Sequence, residues 1–217
     1  MILNPLKKNA TIEILYLGCN DIGPKSGTYL ANFLSNNKNL KILTLNNNPL
    51  TASGIKSISQ ALNTKLVLEE INLNSTSAGD EGGAELFENM KLNKSLRRVY
   101  ANNNKFYKNS MFNFGELLKK DNDDPNSEGG LEFLSLSYNE IDDECVGFFS
   151  QDLTNYKWLR EIKLNNNRIT EKGGQEILFA VLQNENINEV NLENNNAEWG
   201  FSNEDFKHYR DNINIYL

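Results

Sequence analysis

The sequence contains little of what most enzymes and metal sites require. Among its 217 residues there is a single histidine, His208, and only two cysteines, Cys19 and Cys145. Catalytic triads and zinc sites use histidine or clustered cysteine side chains, so neither is expected here. No GxxxxGK[ST] loop and no strand-linked GxGxxG fingerprint for nucleotide phosphates occurs. We therefore expect no enzyme activity, no catalytic residue, no cofactor and no metal ion.

Positive charge and long apolar stretches are also scarce. The chain has 22 Lys and Arg residues against 29 Asp and Glu residues, a formal net charge of -7. This charge repels phosphate backbones and anionic lipid, so nucleic acid and membranes are not expected partners. No apolar run approaches the roughly 20 residues that span a bilayer, and residues 1–10 lack the apolar core of a secretory signal. These absences predict a cytoplasmic protein.

A nine-residue phrase is written seven times: an apolar residue, two variable, an apolar, one variable, an apolar, two variable, and usually Asn. It begins at residues 12, 40, 68, 96, 131, 159 and 187, so that five spacings are 28 residues and one is 35. A fixed period of this length indicates stacked structural repeats. With 217 residues, the chain is long enough for one such domain, which we assign to residues 1–217.

Each repeat combines a strand and a helix. Alternating residues such as Leu43 and Leu45 predict a short strand with one inward face, and Ile55, Ile58 and Leu62 follow at helical spacing. Neither element buries its apolar side alone, so the repeats must stack. Helices are wider than the strand spacing of about 4.8 Å, which predicts a curved arc with a parallel β-sheet on its concave face and α-helices on its convex face.

The Asn at the ninth place suits the corner where the chain leaves the strand, because its amide can satisfy backbone groups of the turn. The third repeat has Thr76 there, and we expect the resulting ladder of hydrogen bonds to be weakest at that repeat. The two cysteines fall in the first and fifth repeats, about 19 Å apart by strand spacing, which excludes a disulfide bond between them.

The phrase, its period and a small residue near the start of each helix together resemble leucine-rich repeats of the ribonuclease-inhibitor-like class. The helix-opening glycines are Gly27, Gly54, Gly83 and Gly174. The resemblance covers nearly the whole chain and implies an α/β solenoid shaped as a horseshoe arc. It is specific for the fold and much less so for function, because members share the scaffold and differ in surface residues.

Both ends and the 35-residue spacing depart from the pattern. We expect residues 1–11 to be the partial helix of a further repeat, which either caps the array or belonged to a longer one. Aromatic residues at 198–217 predict a C-terminal cap, with a docking site at the tip as the alternative. A solvated loop is expected at 121–130. A calcium loop there is disfavoured, because Pro125 and Asn126 occupy places where an EF-hand has a ligand and Gly.

Places three, five, seven and eight of the phrase face away from the core and describe the concave surface. Aromatic and arginine side chains are favoured anchors at protein interfaces. A central cluster combines three aromatic residues with a neighbouring cation, namely Arg98, Tyr100, Phe133 and Tyr138. An N-terminal patch is apolar and comprises Ile14, Tyr16 and Ile42. Charged neighbours on the same face complete the candidate contact set with Glu70, Glu161 and Lys163.

We therefore predict a monomeric, non-catalytic module that binds a protein partner through its concave sheet. The N-terminal patch has a second interpretation, since its residues could pack against a preceding repeat or against each other. Two alternative functions stay open: a fragment of a larger sensor or receptor array, and a GTPase-activating regulator resembling the Ran GTPase-activating protein. A free-standing module could also be an effector that acts in the cytoplasm of a host cell.

Overall fold

The computed structural model describes residues 6, 9–63, 67–124, 129–200 and 212–217. Its strands are β1 (Ile14–Tyr16), β2 (Ile42–Thr44), β3 (Glu70–Asn72), β4 (Arg98–Tyr100), β5 (Phe133–Ser135), β6 (Glu161–Lys163), β7 (Glu189–Asn191) and β8 (Asn214–Tyr216). Its helices are α1 (Pro24–Asn36), α2 (Thr51–Leu62), α3 (Gly79–Met90), α4 (Lys108–Asp123), α5 (Asp143–Gly147), α6 (Ser150–Leu153) and α7 (Glu171–Gln183).

The strands form one parallel sheet in chain order from β1 to β8. Equivalent places of the phrase pair directly, so that Leu43 lies between Leu15 and Ile71. The helices pack behind the sheet, and the inward side chains Leu45 and Ile55 are fully buried between the two layers. The predicted α/β solenoid, with its parallel sheet and its layer of helices, is confirmed.

Corner asparagines join successive repeats as predicted. Asn48 donates its amide hydrogens to the carbonyls of Leu17 and Leu45, both at 2.8 Å. Its Oδ1 accepts from the backbone amides of Asn20 at 3.1 Å and Ile22 at 2.8 Å. The same arrangement recurs at later corners with Asn104, Asn139, Asn167 and Asn195.

Thr76 interrupts this ladder, which confirms the prediction for the third repeat. Its hydroxyl bonds to the Leu73 carbonyl at 2.9 Å and to Asn104 Oδ1 at 3.0 Å. Within the described residues its side chain makes no bond back to the second repeat, and the amide of Leu50 bonds to the nearby Asn48 carbonyl instead. A hydroxyl is too short to reproduce the amide's bonds across the repeat boundary.

A second set of asparagines, which we did not predict, fixes the opposite corner, where each helix leads into the next strand. Asn37 donates to the Asn9 carbonyl of the preceding repeat at 3.0 Å. Its Oδ1 accepts from the amides of Asn39 at 2.8 Å and Leu40 at 2.7 Å. Asn93 and Asn184 stand at the equivalent places and make related bonds.

The insertion before the fifth strand is partly helical. The prediction of a loop over 121–130 is wrong for residues 121–123, because α4 continues to Asp123. The reason is that Asp121 is buried, pairs with Lys94 and accepts a 3.1 Å hydrogen bond from the Tyr156 hydroxyl. These bonds join the last turn of the helix to the segment before β4 and to the next repeat.

The fifth repeat has two short helices, α5 and α6, in place of one longer helix. At the chain's end, residues 214–216 lie within the predicted C-terminal cap and form β8, the eighth strand. Trp199, also in that segment, packs its ring against Gly174. The predicted N-terminal helix over 1–11 falls mostly outside the described residues, as do residues 201–211 of the cap.

Candidate functional site

The outward face of the sheet brings the predicted central cluster together around one ring. Phe133 lies on β5, and the ring of Tyr100 on β4 packs against it with centroids 4.7 Å apart. The guanidinium carbon of Arg98 lies 5.0 Å from the Phe133 centroid, and the Lys163 ammonium lies 5.7 Å from it. Cations at such distances are attracted to the face of an aromatic ring.

Phe133 is nevertheless not the solvent-facing anchor that we predicted. Its side chain is only 6% exposed, although its place in the phrase points away from the helices. The neighbouring side chains of Arg98, Tyr100 and Lys163 cover it. The direction of a strand residue therefore fixes the face on which its side chain lies, while the residues on adjacent strands decide whether it is accessible.

The predicted charged residues form ion pairs across this face. Arg98 lies 3.3 Å from Glu70 and donates a 3.2 Å hydrogen bond to the Tyr100 hydroxyl. Lys163 lies 2.8 Å from Glu161, and this hydrogen bond together with the nearby carboxylates raises the pKa of the lysine. Arg98, Tyr100 and Phe133 thus contact one another and their charged neighbours within this face.

Glu189 belongs to the same network and is missing from the predicted set. Its carboxylate lies 3.8 Å from Lys163 and is paired in register with Glu161 of the adjacent strand. Burial first, and the charge of Glu161 second, raise the pKa of Glu189. The signal was present in the sequence, because Glu189 and Glu161 occupy the same place in consecutive repeats.

Tyr138 is the accessible aromatic residue of the central cluster, with 60% of its surface exposed. Its backbone has a φ of 57°, in the left-handed region. Residues at the eighth place of every repeat share this conformation, and the others are Cys19, Asn47, Ser75, Asn103, Asn166 and Asn194. Small residues and asparagine tolerate the left-handed region, whereas a bulky ring there is uncommon.

The N-terminal patch lies on the first two strands. Tyr16 and Ile14 are 68% and 49% exposed, while Ile42 is half-buried. Ile14 and Ile42 are register partners on adjacent strands, so they contact each other as well as solvent. The structure therefore places the central cluster and the N-terminal patch on one sheet, with β3 and Glu70 between them.

The two free cysteines differ in accessibility, since Cys19 is exposed and Cys145 is buried. Burial raises the pKa of the Cys145 thiol to about 12, which keeps it protonated at neutral pH. Across the described ranges, no three His, Cys, Asp or Glu residues are grouped so as to hold a metal ion. None of the helices in the described part of the chain has the length and apolarity to cross a membrane. His208 lies outside the described residues.

Comparison with known families agrees with the repeats seen in the fold. The family described as Leucine Rich repeat matches residues 8–31, 36–59, 131–146 and 157–178. In these four segments the chain is similar to leucine-rich repeats. The matched segments cover the first, second, fifth and sixth repeats, and the same strand and helix pattern continues through the repeats between them.

The chain spans less than a quarter of the length of the curated relatives it matches. The Cep78 homolog of Drosophila melanogaster is 29% identical over 184 residues, which are 76% of this chain and 22% of that protein. A protein phosphatase 1 regulatory subunit 37 homolog of Caenorhabditis briggsae is 33% identical over 101 residues, 42% of this chain and 11% of that protein. The Caenorhabditis elegans homolog is 30% identical over 73 residues, 34% of this chain and 8% of that protein.

The chain is also similar to two solved structures. Leiomodin-1 actin-binding site 2 is 14% identical with a TM-score of 0.40, covering 92% of this chain and 78% of its own. An internalin, inlF, from Listeria monocytogenes is 16% identical with a TM-score of 0.45, covering 97% of this chain and 68% of its own.

Proposed function

We propose that this chain is a non-catalytic protein-interaction module of the ribonuclease-inhibitor-like class, which binds a protein partner through its concave sheet. The contact residues are those of the central cluster and its charged neighbours, with the N-terminal patch as a second contact area. The module acts as a monomer in the cytoplasm. Its partner is a protein, since the net charge of -7 disfavours nucleic acid and anionic lipid.

The observation that carries this proposal is the bulky, exposed ring of Tyr138 at a left-handed position. A left-handed backbone costs a side chain with a Cβ about 1–2 kcal/mol, and the exposed ring recovers little of that cost by burial within the chain. The eighth place is left-handed in every repeat, so the turn imposes the conformation, and the other repeats place a small residue or asparagine there. Asparagine occupies the same place in four other repeats, so the fold itself does not require tyrosine. A partner that covers the ring provides a reason for it.

The other side chains of the central cluster support the proposal because contacts within the chain already order them. Arg98 is fixed by Glu70 and by the Tyr100 hydroxyl, and Tyr100 is fixed by its contact with Phe133. Side chains that are already ordered lose less conformational entropy when a partner binds. Tyrosine and arginine are also the residue types that contribute most at protein interfaces.

Two relatives agree with a binding role, because they are homologs of a regulatory subunit of protein phosphatase 1. Because the chain spans only about a tenth of their length or less, we propose no particular partner from these names.

A double substitution tests the proposed surface. Arg98→Gln with Tyr138→Asn removes the cation and the exposed ring, and it leaves the buried Phe133 in place. A matched control on the helix layer is Lys56→Gln with Tyr29→Gln, because Lys56 is ion-paired as Arg98 is and Tyr29 is partly exposed. We expect the sheet variant to lose a partner that wild type and control both capture, as measured by quantitative mass spectrometry of affinity eluates.

Melting temperatures of both variants provide the folding control. Capture of the same proteins by wild type and the sheet variant would place binding on another surface and contradict the proposal. The hypothesis of a GTPase-activating regulator is tested separately, by adding the chain to small GTPases and measuring nucleotide hydrolysis. The hypothesis of a sensor-array fragment is tested by sequencing the native transcript upstream of Met1.

A further inference from the structure

Charge is distributed unevenly along the concave face. Around β3 and β4 it is balanced, because the outward residues Glu70 and Arg98 form an ion pair. In the sixth and seventh repeats the outward places three, five and seven carry three carboxylates and one cation, namely Glu161, Glu189, Glu193 and Lys163. The C-terminal half of the face is therefore net negative, directly beside the aromatic rings of the central cluster.

Two of these carboxylates stand in direct opposition. Glu161 and Glu189 are register partners on adjacent parallel strands, and both are about three-quarters covered by neighbouring groups. Like charges placed opposite each other in a sheet destabilise it. The ammonium of Lys163 contacts both carboxylates and also the Phe133 ring, at 2.8, 3.8 and 5.7 Å. Arg98 also interacts with Glu161 at longer range, but it is ion-paired with Glu70. The two cations thus face three carboxylates, and the Glu161–Glu189 pair stays undercompensated.

The exposed parts of this region supply apolar contact as well. Phe133, the register partner of Glu161, carries the stacked ring of Tyr100. Tyr138 lies five residues after Phe133, beyond the end of β5, and is therefore not part of this region. A ligand seated here meets the Tyr100 ring on one side and two adjacent carboxylates on the other. That combination matches a side chain with a cationic end and a planar or apolar body.

Resting on the proposed function, we propose that the partner presents an arginine-bearing segment to this face, with its guanidinium received by Glu161 and Glu189 beside the central cluster. Arginine fits better than lysine, because its planar fork can donate to two carboxylate groups and its plane stacks on aromatic rings. A second positive charge also removes the repulsion that Lys163 leaves uncompensated. The negative charge of the chain as a whole attracts such a segment and repels an acidic one.

A peptide titration tests this inference. The probes are acetylated, amidated pentapeptides of alternating arginine and glycine, and of alternating glutamine and glycine. They are added to the isotope-labelled full chain while amide chemical shifts are recorded. We expect the arginine peptide to shift resonances of Lys163, Asn191 and their neighbours, and the glutamine peptide to leave them unchanged. Raising salt from about 50 to about 300 mM should weaken binding several-fold, as for screened charge pairs.

Glu189→Gln is the decisive variant, and Glu176→Gln on α7 is its control with the same change of charge. Glu189→Gln should weaken the arginine peptide at least about threefold without lowering the melting temperature, because it removes a like-charge contact. Glu176→Gln should bind like wild type. Equal affinity for the two peptides, no shifts on the sheet, or unchanged binding by Glu189→Gln would each overturn the inference. So would spermine producing the same shifts at equal concentration, since a peptide side chain would then not be required.

The proposed function and this inference fail in different ways. If the double variant Arg98→Gln with Tyr138→Asn loses the partner and Glu189→Gln retains it, the proposed binding surface is supported. The proposal that this surface receives an arginine is then contradicted. If the double variant retains the partner and Glu189→Gln loses it, the binding surface lies nearer β6 and β7 than proposed. The proposal of a bound arginine is then supported.

Discussion

The carboxylate of Asp80 on α3 accepts hydrogen bonds from the amide and hydroxyl of Ser110 on α4, at 2.8 and 2.7 Å. It also accepts from the amides of Tyr107 and Asn109, at 2.9 and 3.0 Å. The first helical residues of one repeat are thus capped from the preceding repeat. Asp143 plays the same part for α7 through Thr170. Stacking therefore satisfies helix ends that the repeats' own side chains leave uncapped.

Asp80→Ala should lower the free energy of unfolding by about 1–2 kcal/mol, because capping amides lose their acceptor. Urea denaturation followed by circular dichroism measures the change. Asp80→Asn is the milder control, since its amide oxygen can still accept. An Ala variant as stable as wild type would show that water caps α4 equally well.

The stability of the chain at acidic pH should depend on the same carboxylate, that of Asp80. Burial alone would raise the pKa of Asp80, but the hydrogen bonds from Ser110, Asn109 and Tyr107 outweigh burial and lower it. A lowered folded pKa means that the carboxylate stabilises the fold above its unfolded pKa of about 3.9 and loses this effect as the pH falls toward the folded value. We expect Asp80→Ala to flatten the pH dependence of stability in that acidic window. Parallel curves for variant and wild type would contradict this.

The hydrogen-bond ladder that Thr76 interrupts predicts opposite changes in stability for two substitutions. Thr76→Asn should raise stability by about 0.5–1 kcal/mol, because the amide can reach the Leu45 carbonyl and the Asn48 and Leu50 amides. Asn139→Thr makes the reverse exchange at an intact corner and should cost about 1–3 kcal/mol, since buried backbone groups lose their partners. Thermal unfolding of the two variants compares them. Changes of the same sign would refute the ladder as the cause.

Tyr138→Asn should make the chain more stable and less able to bind. Relief of the left-handed strain is expected to add about 0.5–1 kcal/mol. Loss of the exposed ring should at the same time weaken capture of the partner. Calorimetry and a quantitative pull-down on one preparation give both quantities. Increased stability with unchanged binding would mean that Tyr138 is strained without being a contact.

Two glycines in neighbouring repeats should respond oppositely to alanine. A Cβ added at Gly115 on α4 would meet the Phe148 carbonyl oxygen at 2.0 Å, whereas one added at Gly147 on α5 meets nothing within 4 Å. Gly115→Ala should therefore cost about 2 kcal/mol or more through forced backbone movement. Gly147→Ala should be neutral or stabilising by up to about 1 kcal/mol. Urea midpoints distinguish the two, and a tolerated Gly115→Ala would show that the break between α5 and α6 can shift.

The asparagine runs show how much a repeating sequence encodes. In Asn165, Asn166 and Asn167 the three side chains stand at places seven, eight and nine. Asn165 accepts a hydrogen bond from Ser137 on the sheet face, Asn166 takes the left-handed conformation and Asn167 forms the corner ladder. The sequence indicated the third role, and it placed the other two side chains only on the outward surface of the sheet. Backbone dihedral angles and bonds to the adjacent strand are invisible in a single repeat.

The candidate site was only partly predictable for a similar reason. Strand alternation correctly placed Arg98, Tyr100, Phe133 and Lys163 on one face. It could not show that the other three side chains cover Phe133, because that depends on side-chain conformations and on pairing across a boundary of 35 residues. Glu189 was overlooked because its significance lies in its register partner Glu161, not in its own residue type.

The sequence by itself determined the repeat, its strand and helix, the inward residues and the corner amides, because each depends on local periodicity that is repeated along the chain. The tertiary structure decided what depends on neighbours. It lengthened α4 to bury Asp121, broke the fifth helix beside Gly115, added β8 beyond the last recognised phrase and hid Phe133 beneath charged side chains. Such features follow from contacts between repeats that differ from one another, and a shared pattern carries no record of those differences.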